Sequence, residues 1–470
     1  METSSSKISI REKICYGLGD SSANIFLGMT MMFLPYFYTD VLGISAAAMG
    51  FLFLAVRLFD AFYDPIMGNI ADNTRSKYGR YRPYLLYLAI PYGLSCYFVF
   101  LTPDFSPTGK LIFACASYLF LILMYASTVV PYVGLLTAIS SDPAERLSIN
   151  SYRFPLAKMS FLLCSSLIPM FVAMYGKGNE AQGYQAAMAI IGVLASAFLL
   201  CCFFGTKERN TVLVSEDAAE QKKEPLWQQV KLVFHTKPAV YYYLFHMITS
   251  IAFTLKGSAT IYFVKYYLNQ DDAFLSGVLS ATAIAGIVAP IVSVQLIKHG
   301  VFTRLGMVKF SHVAGGVMAL LLLVMPQSSL YLCVGTLFGS VLFAELSSII
   351  AWALPADCAD YCEVEYDKKM SGILGAGALF ALKLGMSIAG ALVGWVLAAS
   401  GYQANAQPGG DMVWAILLLI SVLPAVFHFL GYMFLRFYTL DDKKMEEIKT
   451  TLEQRHGKEQ QMVRAATVEN

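Results

Sequence analysis

The chain has 470 residues, of which 57% are hydrophobic and only 14% charged, and its net charge is +2. A soluble domain carries about 25% charged residues, so a soluble globular fold is excluded, and so small a net charge gives no reason to expect a nucleic-acid partner. Apolar runs of about 20 residues, the length that crosses a bilayer as a helix, recur along the chain; the fold class is an all-α membrane protein.

Twelve spans are expected, over 14–39, 44–70, 84–102, 110–139, 150–175, 184–205, 239–267, 274–297, 306–325, 330–355, 372–400 and 412–437. The opening METSSSKISIREK has no short apolar core with a cleavage site behind it, so the first span is expected to insert uncleaved. Most connections are short. The exception, 206–238, is charged and separates six spans from six. The expected organisation is therefore an N-terminal six-helix bundle (1–205), a central cytoplasmic loop (206–238), a C-terminal six-helix bundle (239–437) and a cytoplasmic tail (438–470). Such a layout suits two bundles related by a pseudo-two-fold axis. Of 34 Lys and Arg, only Lys110, Lys177 and Lys265 fall on outer segments if both termini are cytoplasmic. That asymmetry sets the expected orientation.

The first span carries Asp20 and Asn24, four apart. The second contains RLFDAFYDPIMG, Arg57 to Gly68, inside an otherwise apolar run. Residues three, four and seven apart share a helix face, so Arg57, Asp60 and Asp64 form one polar stripe. Charge facing lipid costs several kcal/mol, and the stripe must face protein or a watery cavity. One Arg neutralises one Asp and leaves a carboxylate over. A surplus carboxylate at mid-membrane reads as a cation or proton site; a salt bridge that merely orients the bundle is the alternative.

After this span, ADNTRSKYGRYRP sets Arg75, Lys77, Arg80 and Arg82 behind Asp72, a basic anchor and hinge. Arg153 and Lys158 lie on the fifth span. In the central loop, KKEPLWQQVKLVFHTKP places Leu226, Val230, Val233 and Phe234 on one helical face with Trp227 beside it. That pattern suits a short helix on the anionic inner leaflet, with a plain linker as the alternative. Lys256 lies on the seventh span, Glu345 and Trp352 on the tenth, and Lys383 on the eleventh. Glu345 is expected to pair with Lys383 or Lys256. PADCADYCEVEYDKK follows the tenth span, and its Asp357 and Asp360 are the acidic counterpart of the basic hinge. Opposite charges there could lock the inner side shut. Cys358 and Cys362 lie beside these acids, but their spacing fits no zinc pattern and no His is near; no metal site is expected. The tail from Asp441 has Met445, Ile448 and Leu452 at helical spacing and reads as a loosely docked, solvated helix.

Intramembrane charges on both halves imply a central polar cavity, where secondary transporters bind substrate. A receptor or scaffold would not need so many.

YGLGD (Tyr16 to Asp20), YFYTDVLGIS (Tyr36 to Ser45), RLFDAFYDPIMG, TRSKYGRYRP and ADCADYCE, in this order, resemble the glycoside–pentoside–hexuronide:cation symporters, the melibiose permease family of the major facilitator fold. The resemblance covers nearly the whole chain. Phe380 to Tyr402 looks most like members thought to carry xylosides. The resemblance implies cation or proton coupling at Asp60 and Asp64. It implies sugar binding at Arg153 and Lys383, with Lys256 where relatives place an arginine. Asn24 and Trp352 complete the expected substrate set, and Arg57, Arg75, Arg80, Glu345, Asp357 and Asp360 the expected gating salt bridges. Three departures stand out. Ala23–Asn24 replaces a Lys–Asp pair, Val129 replaces a sugar-contacting polar residue, and Tyr63 and Ala126 replace neutral oxygens of a sodium site. H+ is therefore favoured over Na+ as coupling ion, with Na+ at Asp60 and Asp64 the alternative.

The expected function is secondary active symport of a glycoside, pentoside or hexuronide by alternating access in a bacterial-type inner membrane. The chain is expected to act as a monomer, without a cofactor and without covalent chemistry. A proton-coupled drug or metabolite antiporter of the same fold is the alternative.

Overall fold

The computed structural model describes residues 8–140, 142–209, 226–368, 370–406 and 409–468. Most of the charged centre of the chain, 210–225, lies outside the described residues. Ten helices among those described are long and apolar enough to cross a membrane: α2 (Ala46–Asn73), α4 (Pro107–Ile139), α5 (Glu145–Gly176), α6 (Glu180–Gly205), α8 (Lys237–Tyr267), α9 (Asp272–Lys298), α10 (Arg304–Val324), α11 (Leu330–Tyr366), α12 (Ser371–Ala399) and α13 (Gly410–Arg436).

Two of the twelve expected spans are not among these ten, for physical reasons. The run α1 (10–41) opens with Ile10–Gly28, which carries Arg11, Glu12, Lys13 and Asp20, and continues through two π-helical turns, Met29–Phe33 and Phe37–Val41. The run α3 (82–98) comes in two pieces, Arg82–Tyr87 and Ala89–Phe98. At about 1.5 Å per residue, α1 still extends about 48 Å, well beyond a hydrocarbon core of about 30 Å.

Helices α1 to α6 pack on one another, chiefly α1 on α5 and α6, α3 on α6, and α2 on α4. Helices α8 to α13 do likewise, α8 on α12 and α13, and α10 on α11 and α13. Among the described residues, the main seams that cross between the two sets are α2 with α12, α5 with α9, and the Met29–Phe33 turn of α1 with α8. In the first, small residues let backbones approach. A Cβ on Gly394 would fall 2.7 Å from the Gly50 nitrogen, and one on Gly390 would lie 3.2 Å from the Phe53 Cβ. Small-residue faces are how helices in lipid come close without a hydrophobic drive between them. The α5/α9 seam is polar instead: Ser166 and Ser280 hydroxyls lie 2.7 Å apart, and Ser276 donates to the Ser166 carbonyl at 2.8 Å.

Between the sets lies the short helix α7 (Leu226–His235). Its Val233 is buried against the second set, while Trp227 and Phe234 are 75% and 71% exposed, as a lipid-surface helix requires. The tail helix α14 (Asp442–Val468) is anchored more firmly than its charge suggests. Met445, Ile448 and Leu452 are buried in one apolar cluster with Leu354, Cys358 and Cys362 of α11, and Asp442 accepts from Arg304 at 2.8 Å.

A candidate cation- and sugar-coupling site

Helix α2 begins at Ser45, whose hydroxyl accepts the Ala48 amide at 3.3 Å. Its helical register then places Arg57, Asp60 and Asp64 on the face turned to α12. Pro65 follows at once. A proline inside a helix removes one amide donor and leaves the carbonyl four residues back without its usual partner, so backbone polarity is added beside the carboxylates. Asp60 is fully buried.

Lys383 of α12 comes between the two acids. Its Nζ is 2.5 Å from Asp64 Oδ2 and 3.0 Å from Asp60 Oδ2. Arg57 Nη1 lies 3.9 Å from Asp60 Oδ2, and its guanidinium rests over the Phe26 ring. This corrects the expectation of a surplus carboxylate. Two acids meet two bases, and the second base comes from the other half of the molecule. The acids are still under-bonded: Asp60 Oδ1 and Asp64 Oδ1 are buried without a hydrogen bond among the described residues, and Asp60 Oδ2 meets Lys383 at ion-pair distance but off the hydrogen-bond angle. Tyr125 stacks on Phe26 with ring centroids 3.8 Å apart, and Lys383 lies 5.9 Å from the Tyr125 ring centre.

A second ion pair crosses the halves. Lys158 Nζ of α5 is 3.3 Å from Glu345 Oε2 of α11. The expected partners of Glu345 were Lys383 and Lys256; Lys383 is held by the α2 acids, and Lys256 donates instead to the Ser340 hydroxyl at 2.6 Å. Lys256 is also turned away from the other substrate residues. Thr254 and Ser258 line a small cavity of about 20 Å³ between the halves, together with Thr30, Arg57, Tyr118 and Met386. Lys256, two residues from each, points into the second set.

Of the remaining expected substrate residues, Arg153 donates from Nε to Asp20 Oδ2 at 2.8 Å and is half-buried. Asn24 gives its amide hydrogen to the Asp20 carbonyl at 2.9 Å, which keeps its side-chain oxygen for other use. Trp352 is 47% exposed at a break in α11 and meets the His246 ring edge-on at 5.1 Å. Arg153, Asn24 and Asp20 thus form one group on α1 and α5, and the structure does not bring Trp352 or Lys256 to it.

Among the expected gating charges, Glu345 crosses to Lys158, whereas Asp357 is bound within its own half. Asp357 pairs with Arg304 at 3.1 Å, rather than with the basic hinge. The hinge is clamped by Glu208, whose carboxylate accepts the backbone amides of Arg80, Tyr81 and Arg82 at 2.8–2.9 Å. Arg75 is exposed and Asp360 half-buried. Tyr81, which donates to Asp72 at 2.7 Å, has its phenol pushed up to about 12 by burial and by that carboxylate.

The closure at the opposite end was not foreseen. Asp40, at the end of α1, accepts hydroxyls from Tyr402 at 2.6 Å, from Thr39 at 2.5 Å and from Tyr266. Thr39 also meets Tyr262 at 2.9 Å, and Asn405 donates to the Asp40 carbonyl at 3.0 Å. Nearby, Lys265 bridges Glu180 and Asp272 at 2.5 and 2.9 Å, and Tyr36 donates to Glu180 at 3.1 Å. Residues of α1 and α6 are thereby tied to α8, α9 and the 400–405 turn. YFYTDVLGIS was visible as a motif, but nothing in it names tyrosines more than 200 residues away as partners.

Residues 15–442 match the family model described as MFS/sugar transport protein. The inner membrane symporter YicJ of Escherichia coli (strain K12) is 31% identical, covering 98% of this chain and 99% of that protein. The isoprimeverose transporter of Lactiplantibacillus pentosus is 29% identical, covering 95% and 92%. Among solved structures, that of a D-xylose-proton symporter superposes with a TM-score of 0.62 at 13% identity, covering 89% of this chain and 96% of that one, a likeness of fold. With these matches, the chain belongs to the glycoside–pentoside–hexuronide:cation symporter family of multi-pass membrane transporters.

Proposed function

We propose that the protein carries a neutral pentoside or hexoside glycoside with one proton, by alternating access between bundles 1–205 and 239–437, as a twelve-span monomer with both termini cytoplasmic. Sugar symport itself follows from the family; the substrate, the ion and the residues are our reading. The observation that carries it is the ammonium of Lys383 seated between Asp60 and Asp64. A proton arriving on Asp64 removes one of the two negative charges that hold Lys383. Freed from Asp64, Lys383 can turn to a sugar hydroxyl, so ion and sugar binding reinforce each other. Closing around substrate then buries one fewer charge, and charge is what makes mid-membrane closure costly.

The proton is favoured over Na+ by the oxygens present. Tyr63 turns its hydroxyl to Ser127 at 2.9 Å, and Ala126 offers none. A proton needs one carboxylate, whereas a hard cation needs several oxygens. A neutral sugar is favoured because the cavity bases are already matched: Arg153 by Asp20, Lys158 by Glu345 and Lys383 by Asp60 and Asp64. Asp40 and its tyrosines close the outer end in this state, which leaves the sugar path to run on the inner side.

The test is uptake of a panel of glycosides, glucuronides included, into proteoliposomes under separate proton and sodium gradients. A pH step should drive accumulation of a neutral glycoside at fixed sodium. Accumulation driven by sodium alone, or a glucuronide bound better than its glucoside twin, would overturn the ion or the sugar assignment respectively.

A further inference from the structure

Within the second bundle lies a cluster that this coupling scheme does not use. His312 of α10 and His428 of α13 are 2% and 3% exposed, and their Nδ1 atoms are 3.0 Å apart. Two imidazole nitrogens at that distance share one proton, so one ring donates and the other accepts. Ser347 of α11 decides which. Its hydroxyl lies 2.9 Å from the Ala344 carbonyl and 3.3 Å from His312 Nε2; donating to the nearer carbonyl, it accepts from His312. His312 therefore carries its hydrogen on Nε2 and presents a bare Nδ1. His428 must donate from Nδ1, which leaves its Nε2 bare. That nitrogen is buried with no hydrogen-bond partner among the described residues.

The groups facing this pair are few. From α8 come Lys256, whose Nζ is given to Ser340, and the ring of Phe245, edge-on to His312 at 5.1 Å. From α11 come Ser347 and, two residues earlier, Glu345, which is held across the seam by Lys158 of α5. Ser347 sits in a break of α11, between the helical pieces that end at Glu345 and restart at Ser348. The residue that fixes the histidine tautomers and the residue that receives the inter-bundle ion pair thus share one hinge.

We propose that the His312–His428 pair is a second proton-binding site, which takes one proton from water at His428 Nε2 when the α11 break moves and Glu345 parts from Lys158. The neutral pair becomes singly charged; the Nδ1–Nδ1 hydrogen bond is retained, and the Lys158–Glu345 ion pair is the interaction lost. Glu345, once free of Lys158, supplies the compensating charge on the same helix. Transport then acquires a pH dependence that does not pass through Asp60 or Asp64. The site rests on side-chain geometry, while its effect on transport rests on the symport reading above.

The chain has six histidines, so 15N-histidine labelling of the full-length protein in lipid nanodiscs gives a readable imidazole spectrum. At alkaline pH the two rings should show complementary neutral tautomers, His312 protonated at Nε2 and His428 at Nδ1. As pH falls, and with sugar added to populate other states, His428 Nε2 should gain a proton. The functional arm is sugar counterflow, which needs no net ion movement. His428→Asn keeps an amide donor where Nδ1 stands and should shift one limb of the counterflow pH profile by about one pH unit, while Asp64→Asn should leave that limb in place. A His428 Nε2 that stays bare at every pH at which sugar still binds, or a His428→Asn profile that superposes on the parent, overturns the proposal. Loss of uphill uptake in Asp64→Asn bears on the coupling site alone, so the two readings fail separately.

Discussion

The seam where α2 meets α12 and the seam where α5 meets α9 and α11 join the same two bundles, but they carry charge in opposite order. On the first, the acids belong to the N-terminal bundle and the base, Lys383, to the C-terminal one. Where α5 faces the second bundle, the base is Lys158 and the acid is Glu345. Burial differs too. Asp60 is fully buried and Lys383 16% exposed, whereas the Lys158 side chain is 44% exposed. The energetic weight of an ion pair rises with burial, because breaking it strands a charge that water cannot reach. The first seam can therefore convert one proton into a large bias between conformations, and the second can act only as a weak latch.

This contrast can be broken most forcefully at Lys383. Lys383→Met strands Asp60 and Asp64 with only Arg57 near. Removing one partner of a buried pair costs about 3–5 kcal/mol, so the thermal midpoint in detergent should fall sharply. Asp60→Asn/Lys383→Met should recover most of it, and a double variant no better than the single would show that the loss was not electrostatic. Tyr402→Phe comes next. It removes a hydroxyl from Asp40, and hydrogen bonds to charged groups contribute about 1.5–3 kcal/mol. That loss should open the closed end more often. A single cysteine at Thr254, in a background without the native cysteines, should then react faster with an impermeant thiol reagent added from that side; an unchanged rate would remove Asp40 from the gate.

Smaller effects belong to the other seam. Lys158→Met strands the buried carboxylate of Glu345, one acid where Lys383→Met strands two, and the half-exposed ammonium it removes is partly screened by water, so its cost should be smaller than that of Lys383→Met. The swap Lys158→Glu/Glu345→Lys should return exchange to near the parent rate. A loss equal to that of Lys383→Met would abolish the distinction between the seams. Ser166→Ala removes one neutral hydrogen bond to Ser280 and should be close to silent in both stability and counterflow.

How much of this was legible in the sequence follows from range. The stripe Arg57, Asp60, Asp64 is a matter of helical spacing, and spacing is local. So are the apolar runs, although α1 and α3 show that a charged start, π turns or a break can keep an expected span from being one long apolar helix. The partners were another matter. Lys383 is more than 300 residues from Asp64, and the sequence offered it and Lys256 equally to Glu345, which took Lys158. Lys256 was grouped with the substrate residues by its charge, but a shift of two positions from Thr254 and Ser258 turns it to the opposite face of α8. The Asp40 closure had the weakest signal, because tyrosines in an apolar helix are indistinguishable in sequence from packing residues.

The central claim is that Asp64, through Lys383, couples the ion to the sugar. Gradient-driven accumulation and counterflow, measured side by side on Asp64→Asn in proteoliposomes, test it most directly. The account requires accumulation to vanish while counterflow persists, since the neutral amide can still let the bundles rock but can no longer be switched by a proton. Uphill uptake by Asp64→Asn at the parent level would contradict it.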